Sequence, residues 1–206
     1  VGDGSRLGRG VYYKCYNEVK MQETNTYKNL KDLPRTNSPE YIVLHHTGGT
    51  QADPNADTSH HTANGVEKQH LSQGWEGIGY HYFIEKNGTI WKGRPEHRHG
   101  AHVKEGGINK KSIGTCLAGN FTVEGRKPTD EQKNALAGLI RDIRGKYSIP
   151  IEKIQPHRAF LGTPPYKDCP GDQLSDDWVQ KLLIPEENLN MVSVPRKLLE
   201  ELTQYL

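Results

Sequence analysis

The stretch Tyr41-Ile-Val-Leu-His45-His46-Thr47-Gly48-Gly49 is the most informative part of the chain. Its apolar run ends in two histidines, and the paired glycines that follow are typical of a turn. The stretch therefore predicts a buried strand that ends in a histidine pair. Neighbouring side chains of a strand point to opposite faces, so only one histidine can face a given pocket. We take His45 as the first candidate ligand and His46 as its competitor.

The histidine pair has a counterpart far along the chain, in Pro156-His157 and Asp168-Cys169-Pro170. Two imidazoles and one thiolate fit a catalytic zinc site, where three protein ligands leave the fourth position for water. A structural zinc more often has a fourth Cys or His in a tight pair such as C-x-x-C, and this sequence has none. The pattern favours one catalytic zinc and a hydrolytic reaction. The alternative is a proline-rich surface loop with an incidental cysteine.

Composition indicates a soluble, rather polar protein. The chain has 206 residues, 33% of them hydrophobic, and a formal net charge of +2. Its mean hydropathy is −0.82. This length predicts one domain with appendages. No apolar stretch approaches the ~18–20 residues that a bilayer span requires. The small net charge gives no support for a nucleic-acid partner. We expect a monomer.

Three cysteines, Cys15, Cys116 and Cys169, do not form an even disulfide framework. Cys116 lies in a strand-like run and is interpreted as a small buried thiol. The sequence does not exclude a Cys15–Cys116 disulfide, so the cysteine content leaves the redox compartment undecided. The sequence starts at Val1 without a signal peptide, which is weak evidence because a leader is removed on maturation.

The order of elements predicts an α/β fold: a single domain with a central mixed β-sheet flanked by α-helices, plus extensions at both ends. We divide the chain into an N-terminal extension (1–38), a catalytic domain (39–183) and a C-terminal helical extension (184–206). The extension 1–38 is either packed on the domain or a disordered arm, and its tyrosines favour packing.

Local signals place the elements of the domain. Asn87-Gly88 predicts a two-residue hairpin turn, and strand alternation puts Tyr80, Tyr82 and Ile84 on one face. Thr129 opens a helix with a capping box. The predicted elements are a strand 41–46, a helix 64–72, hairpin strands 80–86 and 89–92, a strand 112–118, a helix 129–146, a strand 151–155 and a last helix near Pro195.

Several motifs occur here in one order, and together they closely resemble the zinc N-acetylmuramoyl-L-alanine amidases of the type-2 amidase family. That family includes phage lysozyme-type amidases and peptidoglycan-recognition proteins. The resemblance covers about residues 40–183. The motifs are Val43-Leu-His-His-Thr47, Gly79-Tyr-His-Tyr-Phe83, Asn87-Gly-Thr89, Gly100-Ala-His102, Asn109-Lys-Lys-Ser-Ile-Gly114, and His157 with Lys167-Asp-Cys-Pro170.

The resemblance implies a role for particular residues. The zinc ligands fall on His45, His157 and Cys169. The tyrosine that assists catalysis matches Tyr80, and the catalytic lysine matches Lys167. His102 matches a position near the bound substrate, so we expect it to contact substrate.

These residue types suit amide hydrolysis. Zinc lowers the pKa of bound water from ~15.7 toward ~7 and polarises the scissile carbonyl. Lys167 can stabilise the oxyanion, and Tyr80 can orient the water or pass a proton to the leaving amine.

We therefore expect an amidase that cuts bacterial peptidoglycan between N-acetylmuramic acid and L-alanine, acting at the cell wall. A phage endolysin released at lysis fits this expectation, and a secreted bacterial autolysin or a prophage remnant fits nearly as well. The alternatives are a peptidoglycan-binding module without hydrolysis, an enzyme that recycles soluble muropeptides and, most remote, a structural-zinc nucleic-acid binder. The retained cysteine favours an enzyme over a recognition module.

Overall fold

One mixed sheet of six strands forms the centre of the fold. The computed structural model describes residues 21–161 and 168–174. The strands are β1 (Gln22–Glu23), β2 (Tyr41–His46), β3 (Tyr82–Ile84), β4 (Ile90–Lys92), β5 (Ser112–Leu117) and β6 (Ile154–Pro156). Their spatial order is β1-β4-β3-β5-β2-β6. Only β3 and β4 are antiparallel; the other neighbouring pairs are parallel. The predicted mixed sheet is confirmed.

In the described part of the chain, three α-helices accompany the sheet: α1 (Asn25–Leu30), α2 (Ala63–Ser72) and α3 (Asp130–Tyr147). Short 3-10 helices cover Ile108–Lys110, Ile151–Lys153 and His157–Phe160. The predicted capping box of α3 is present, because Thr129 and Gln132 exchange hydrogen bonds between side chain and backbone in both directions. Within the described residues, no helix combines the length and the apolar character that a membrane span requires.

The two faces of the sheet carry separate apolar cores. On one face, α3 packs Leu136, Leu139, Ile140 and Ile143 against the sheet. The strand residues of this core are Ile42, Leu44, Tyr82, Ile84, Ile90, Ile113, Leu117 and Ile154. On the other face, α2 packs Ala63 and Val66 against Ile78, Phe83, Cys116 and Ala118. β2 lies between β5 and β6 and is apolar at consecutive positions because both of its faces are covered.

The predicted hairpin is confirmed, but its loop is longer than two residues. Ile84 pairs with Ile90, and the Glu85 N–H donates to the Thr89 carbonyl at 3.0 Å. The Gly88 N–H donates to the Glu85 carbonyl at 2.9 Å, and Gly88 has φ +81°. The loop is therefore a turn followed by a left-handed glycine, as in three-residue hairpins.

Tyr80 lies on the opposite face from the one that alternation predicts. It packs against the α2 core with Phe83, whereas Tyr82 and Ile84 belong to the α3 core. The carbonyls of Tyr80 and His81 both accept hydrogen bonds from the consecutive amides of Arg94 and Gly93. A regular antiparallel ladder does not bond consecutive residues in this way, so the chain is irregular here and alternation fails.

The last described strand starts later than predicted. Ile151–Lys153 form a 3-10 turn, in which the Lys153 N–H donates to the Pro150 carbonyl at 3.1 Å. Pairing of this strand with β2 therefore begins at Ile154 and ends at Pro156.

Part of the N-terminal extension packs on the domain. β1 pairs with β4 at the edge of the sheet, and α1 follows it directly. The division of the chain at residues 38 and 183 stays a prediction. Cys15 and the helix predicted near Pro195 lie outside the described residues.

Candidate metal centre

Strand register places the first two predicted ligands side by side. Leu44 of β2 lies opposite Pro156 of β6, so His45 and His157 follow at the same level of the sheet. Their ring centroids are 4.5 Å apart. Both side chains are buried, with 1% and 8% exposure. Parallel pairing of two strands thus brings together histidines that are far apart in the sequence.

Cys169 completes the cluster from the segment that follows. The Arg158 N–H donates to the Cys169 carbonyl at 2.9 Å, which ties this segment to the turn that carries His157. Cys169 Sγ lies 3.6 Å from Nδ1 of His45. The ligand atoms of His45, His157 and Cys169 all lie within 4.8 Å of one another.

The donor set fits a zinc ion. Zinc binds histidine nitrogen at ~2.0–2.1 Å and thiolate sulfur at ~2.3 Å, so a tetrahedral angle separates the two donor atoms by about 3.6 Å. The observed separation of Cys169 Sγ and His45 Nδ1 is 3.6 Å. This pair of donor atoms therefore already has the separation that zinc requires, and the ligand atom of His157 lies within 4.8 Å of both.

His46 faces away from this cluster. Its Nδ1 accepts a hydrogen bond from the Phe121 N–H at 3.1 Å, and its ring lies against that of Phe121. Burial, with a smaller contribution from the charge of Arg158, lowers the pKa of His46 to about 4. Of the two neighbours, the structure brings His45 to the other candidate ligands.

Two predicted site residues adjoin His45. The ring of Tyr80 is 5.2 Å from that of His45, between centroids. Burial, reinforced by the Cys116 and Cys169 thiols, raises the pKa of Tyr80 well above its usual value, so the hydroxyl keeps its proton at neutral pH. His102 Nδ1 lies 3.0 Å from Nε2 of His45. Lys167, the predicted catalytic lysine, lies outside the described residues.

An open cleft of about 450 Å³ adjoins the cluster. Residues that line it include Trp75, His102, Val103, Lys104, His157 and Leu161. Trp75 is not among the site residues predicted from the sequence. Its side chain is 40% exposed, and its ring stacks on that of His70 with the centroids 4.4 Å apart. The signal that could have found it is a large aromatic residue in a turn-rich segment, between Gly74 and the Gly79-Tyr-His motif.

Two histidines beside the site, the buried His81 and the partly buried His70, make stability depend on pH. Burial lowers the pKa of both His70 and His81 to about 4. The unfolded chain takes up these protons near pH 6.5, whereas the folded chain resists them until about pH 4. For the buried His81 we expect the free energy of unfolding to fall between pH 6.5 and 4 by about 1.4 kcal/mol per pH unit, and to be insensitive to this group above that range. His70 is only partly buried, so solvent screening makes its contribution smaller.

Urea unfolding of the chelator-treated protein at several pH values checks this, because loss of a metal then makes no contribution. The H70Q variant should reduce the slope. A stability that is constant from pH 6.5 to 4.5 would contradict the prediction.

A sheet that gathers two histidines and a cysteine beside an open cleft is typical of a metal-dependent hydrolase. The sequence matches the family model described as N-acetylmuramoyl-L-alanine amidase over residues 35–172. The match spans more than half of the chain, and the chain therefore belongs to this family. The family model, together with the endolysin and amidase relatives, identifies the chain as an N-acetylmuramoyl-L-alanine amidase.

Individual relatives include phage enzymes and animal recognition proteins. The chain is 38% identical over 118 residues to an endolysin of Enterobacteria phage K11, which covers 56% of this chain and 72% of the relative. It is 32% identical to peptidoglycan-recognition protein SC2 of Drosophila melanogaster, over 65% of this chain and 69% of that protein. The solved N-acetylmuramoyl-L-alanine amidase LysC from Clostridium intestinale URNW has a TM-score of 0.62 and 31% identity, over 80% of this chain and 97% of that one.

Proposed function

We propose that the chain is a zinc-dependent hydrolase that cleaves the amide between N-acetylmuramic acid and L-alanine in bacterial peptidoglycan. The observation that carries this proposal is the convergence of His45, His157 and Cys169, whose ligand atoms lie within 4.8 Å of one another beside a cleft. The cysteine lies with both histidines, which supports an enzyme over a recognition module that only binds. Family membership supports the choice of bond.

The ligands would hold one zinc ion through His45, His157 and the Cys169 thiolate. When bound, zinc would supply Lewis-acid polarisation of the scissile carbonyl and a more acidic water at neutral pH. The Tyr80 hydroxyl keeps its proton and adjoins His45, so it can donate a hydrogen bond or pass that proton to the leaving amine. Lys167 would stabilise the oxyanion with its positive charge.

The cleft would accept the sugar and the peptide on either side of the scissile bond. Trp75, Val103 and Leu161 give it apolar walls, and Lys104 and Glu105 place exposed charges at its rim. Apolar lining with few polar groups is typical of ligand sites. His102 also lines the cleft, in keeping with the substrate contact expected of it.

We place the chain at the bacterial cell wall, as a phage-encoded lytic enzyme released at lysis. Endolysins of several phages support this setting, including that of Escherichia phage T7 at 32% identity over 125 residues. A monomer suffices for the described site, because its ligands come from one chain.

Hydrolysis of purified peptidoglycan tests the proposal. We expect the zinc-loaded protein to release new N-terminal alanine without new reducing sugar ends, since an amide and not a glycosidic bond is cut. A strong chelator should stop the release, and added zinc should restore it. The C169A variant should show no release with or without zinc, because a necessary ligand is gone.

Hydrolysis that survives both the chelator and the C169A change would overturn the zinc assignment. Comparing intact sacculi with soluble muropeptides separates a lytic enzyme from a recycling one. Cleavage of the soluble fragments alone would contradict the lytic role while leaving the zinc chemistry in place.

A further inference from the structure

We propose that His102 is a positioning residue for the metal ligand His45, a role beyond the substrate contact that sequence resemblance implies. The inference rests on the proposed zinc site. His102 would accept a hydrogen bond from His45 and so hold that imidazole in the one tautomer whose unprotonated Nδ1 can bind the metal. Ligating histidines commonly donate their second ring N–H to a fixed acceptor, which sets the tautomer and the ring orientation.

The two nitrogens of His45 have separate partners. Nδ1 lies 3.6 Å from Cys169 Sγ, on the side of the ligand cluster. Nε2 lies 3.0 Å from Nδ1 of His102, and the two rings are nearly perpendicular, at 84°. A neutral imidazole that offers Nδ1 to a metal carries its proton on Nε2. That proton is then donated to Nδ1 of His102.

The partners of His102 fix the direction of this bond. With Nδ1 accepting, a neutral His102 carries its proton on Nε2, which lies 3.4 Å from Ser112 Oγ. The Ser112 hydroxyl donates in turn to the Ile108 carbonyl at 2.7 Å. The relay therefore runs from His45 through His102 and Ser112 to a backbone carbonyl. The Ile108 carbonyl can only accept, so the Ser112 hydroxyl donates to it and its oxygen accepts from His102 Nε2.

The surrounding backbone is shaped to hold this one ring. Asn109 Oδ1 accepts hydrogen bonds from the His102 and Val103 amides, both at 2.9 Å. A methyl group added at Gly114 would lie 2.5 Å from the His102 ring, and one added at Gly100 would lie 2.3 Å from it. Only glycine leaves room for the imidazole at these two positions. The motifs around Gly100 and Asn109–Gly114 thus build a cradle for a side chain that contacts the ligand.

Zinc affinity measured without substrate distinguishes this role from substrate contact. We expect H102A to bind zinc about 10–100-fold more weakly in competition with a fluorescent chelator. H102Q should recover part of the loss, because its amide oxygen can accept the bond from His45. The absorption spectrum of the cobalt-substituted protein should also differ between H102A and wild type, since ring orientation affects the coordination geometry.

A pair of glycine variants tests the cradle while keeping His102 itself. G114A should displace the ring and lower the zinc affinity. G138A is the matched control, because a methyl group there meets nothing within 4 Å in α3. Thermal unfolding of each metal-free variant reports separately on folding.

The outcomes are distinct. Wild-type zinc affinity in both H102A and G114A, with weakened binding of peptidoglycan, would overturn the positioning role and leave His102 as a substrate contact. A wild-type protein that binds no zinc would overturn the proposed function itself.

Discussion

Replacing His45 by alanine is expected to abolish zinc binding and peptidoglycan hydrolysis, whereas replacing its neighbour His46 should leave both in place. His45 faces His157 and Cys169, with its Nδ1 3.6 Å from the cysteine sulfur. His46 points to the other side of the sheet and accepts a hydrogen bond from Phe121. The loss of zinc affinity in H45A should exceed the ~10–100-fold that is typical of removing an outer partner of a ligand.

Metal content after dialysis, chelator competition and release of peptidoglycan fragments measure the difference between the two variants. H46A removes a buried imidazole and leaves the Phe121 amide without its acceptor, which should cost about 1–3 kcal/mol of stability. It is therefore a control for the damage that loss of a buried histidine does by itself. If H46A lost zinc as completely as H45A while remaining folded, the assignment of the first ligand would be wrong.

The sequence contains enough to predict the central strands and the long helix, because their signals are local. The apolar run before His45 predicts β2, and the capping box at Thr129 predicts α3. The periodicity of apolar residues and the helix cap can both be recognised in the sequence without knowledge of the rest of the fold.

Predictions failed where distant backbone groups decide the local conformation. Alternation misplaced Tyr80, because its carbonyl and that of His81 bond to consecutive amides beyond β4. The strand pattern also could not decide whether His45 or His46 is the metal ligand. That choice depends on which face of the sheet the His157 turn and the Cys169 segment lie against. The contact of His45 with His102 joins residues 57 positions apart. Periodicity contains no information on such a pairing.

Replacing Tyr80 by phenylalanine is expected to slow peptidoglycan hydrolysis by about 10²–10⁴, the usual contribution of a positioned proton donor. The ring of Tyr80 adjoins His45. Its hydroxyl is protonated at neutral pH, as is usual for tyrosine, and burial raises its pKa further. Only the oxygen is removed in Y80F, so the packing of the ring on the α2 core is retained. We expect zinc affinity and binding to intact peptidoglycan to stay at wild-type values. Turnover, chelator competition and co-sedimentation with sacculi measure the three quantities.

Tyr82 gives a matched control two positions along the same chain segment. Its hydroxyl donates to Glu96 at 2.7 Å on the opposite face of the sheet, among the residues that face α3. Y82F therefore removes the same atom from a buried tyrosine without touching the site. It should lower stability by about 1.5–3 kcal/mol, as is usual for a hydrogen bond to a charged group, while turnover stays at the wild-type value. Equal losses of turnover in Y80F and Y82F would show that the effect is structural. Loss in Y80F alone, at unchanged zinc affinity, would place the hydroxyl in the chemical step, because neither metal binding nor the fold would then account for it.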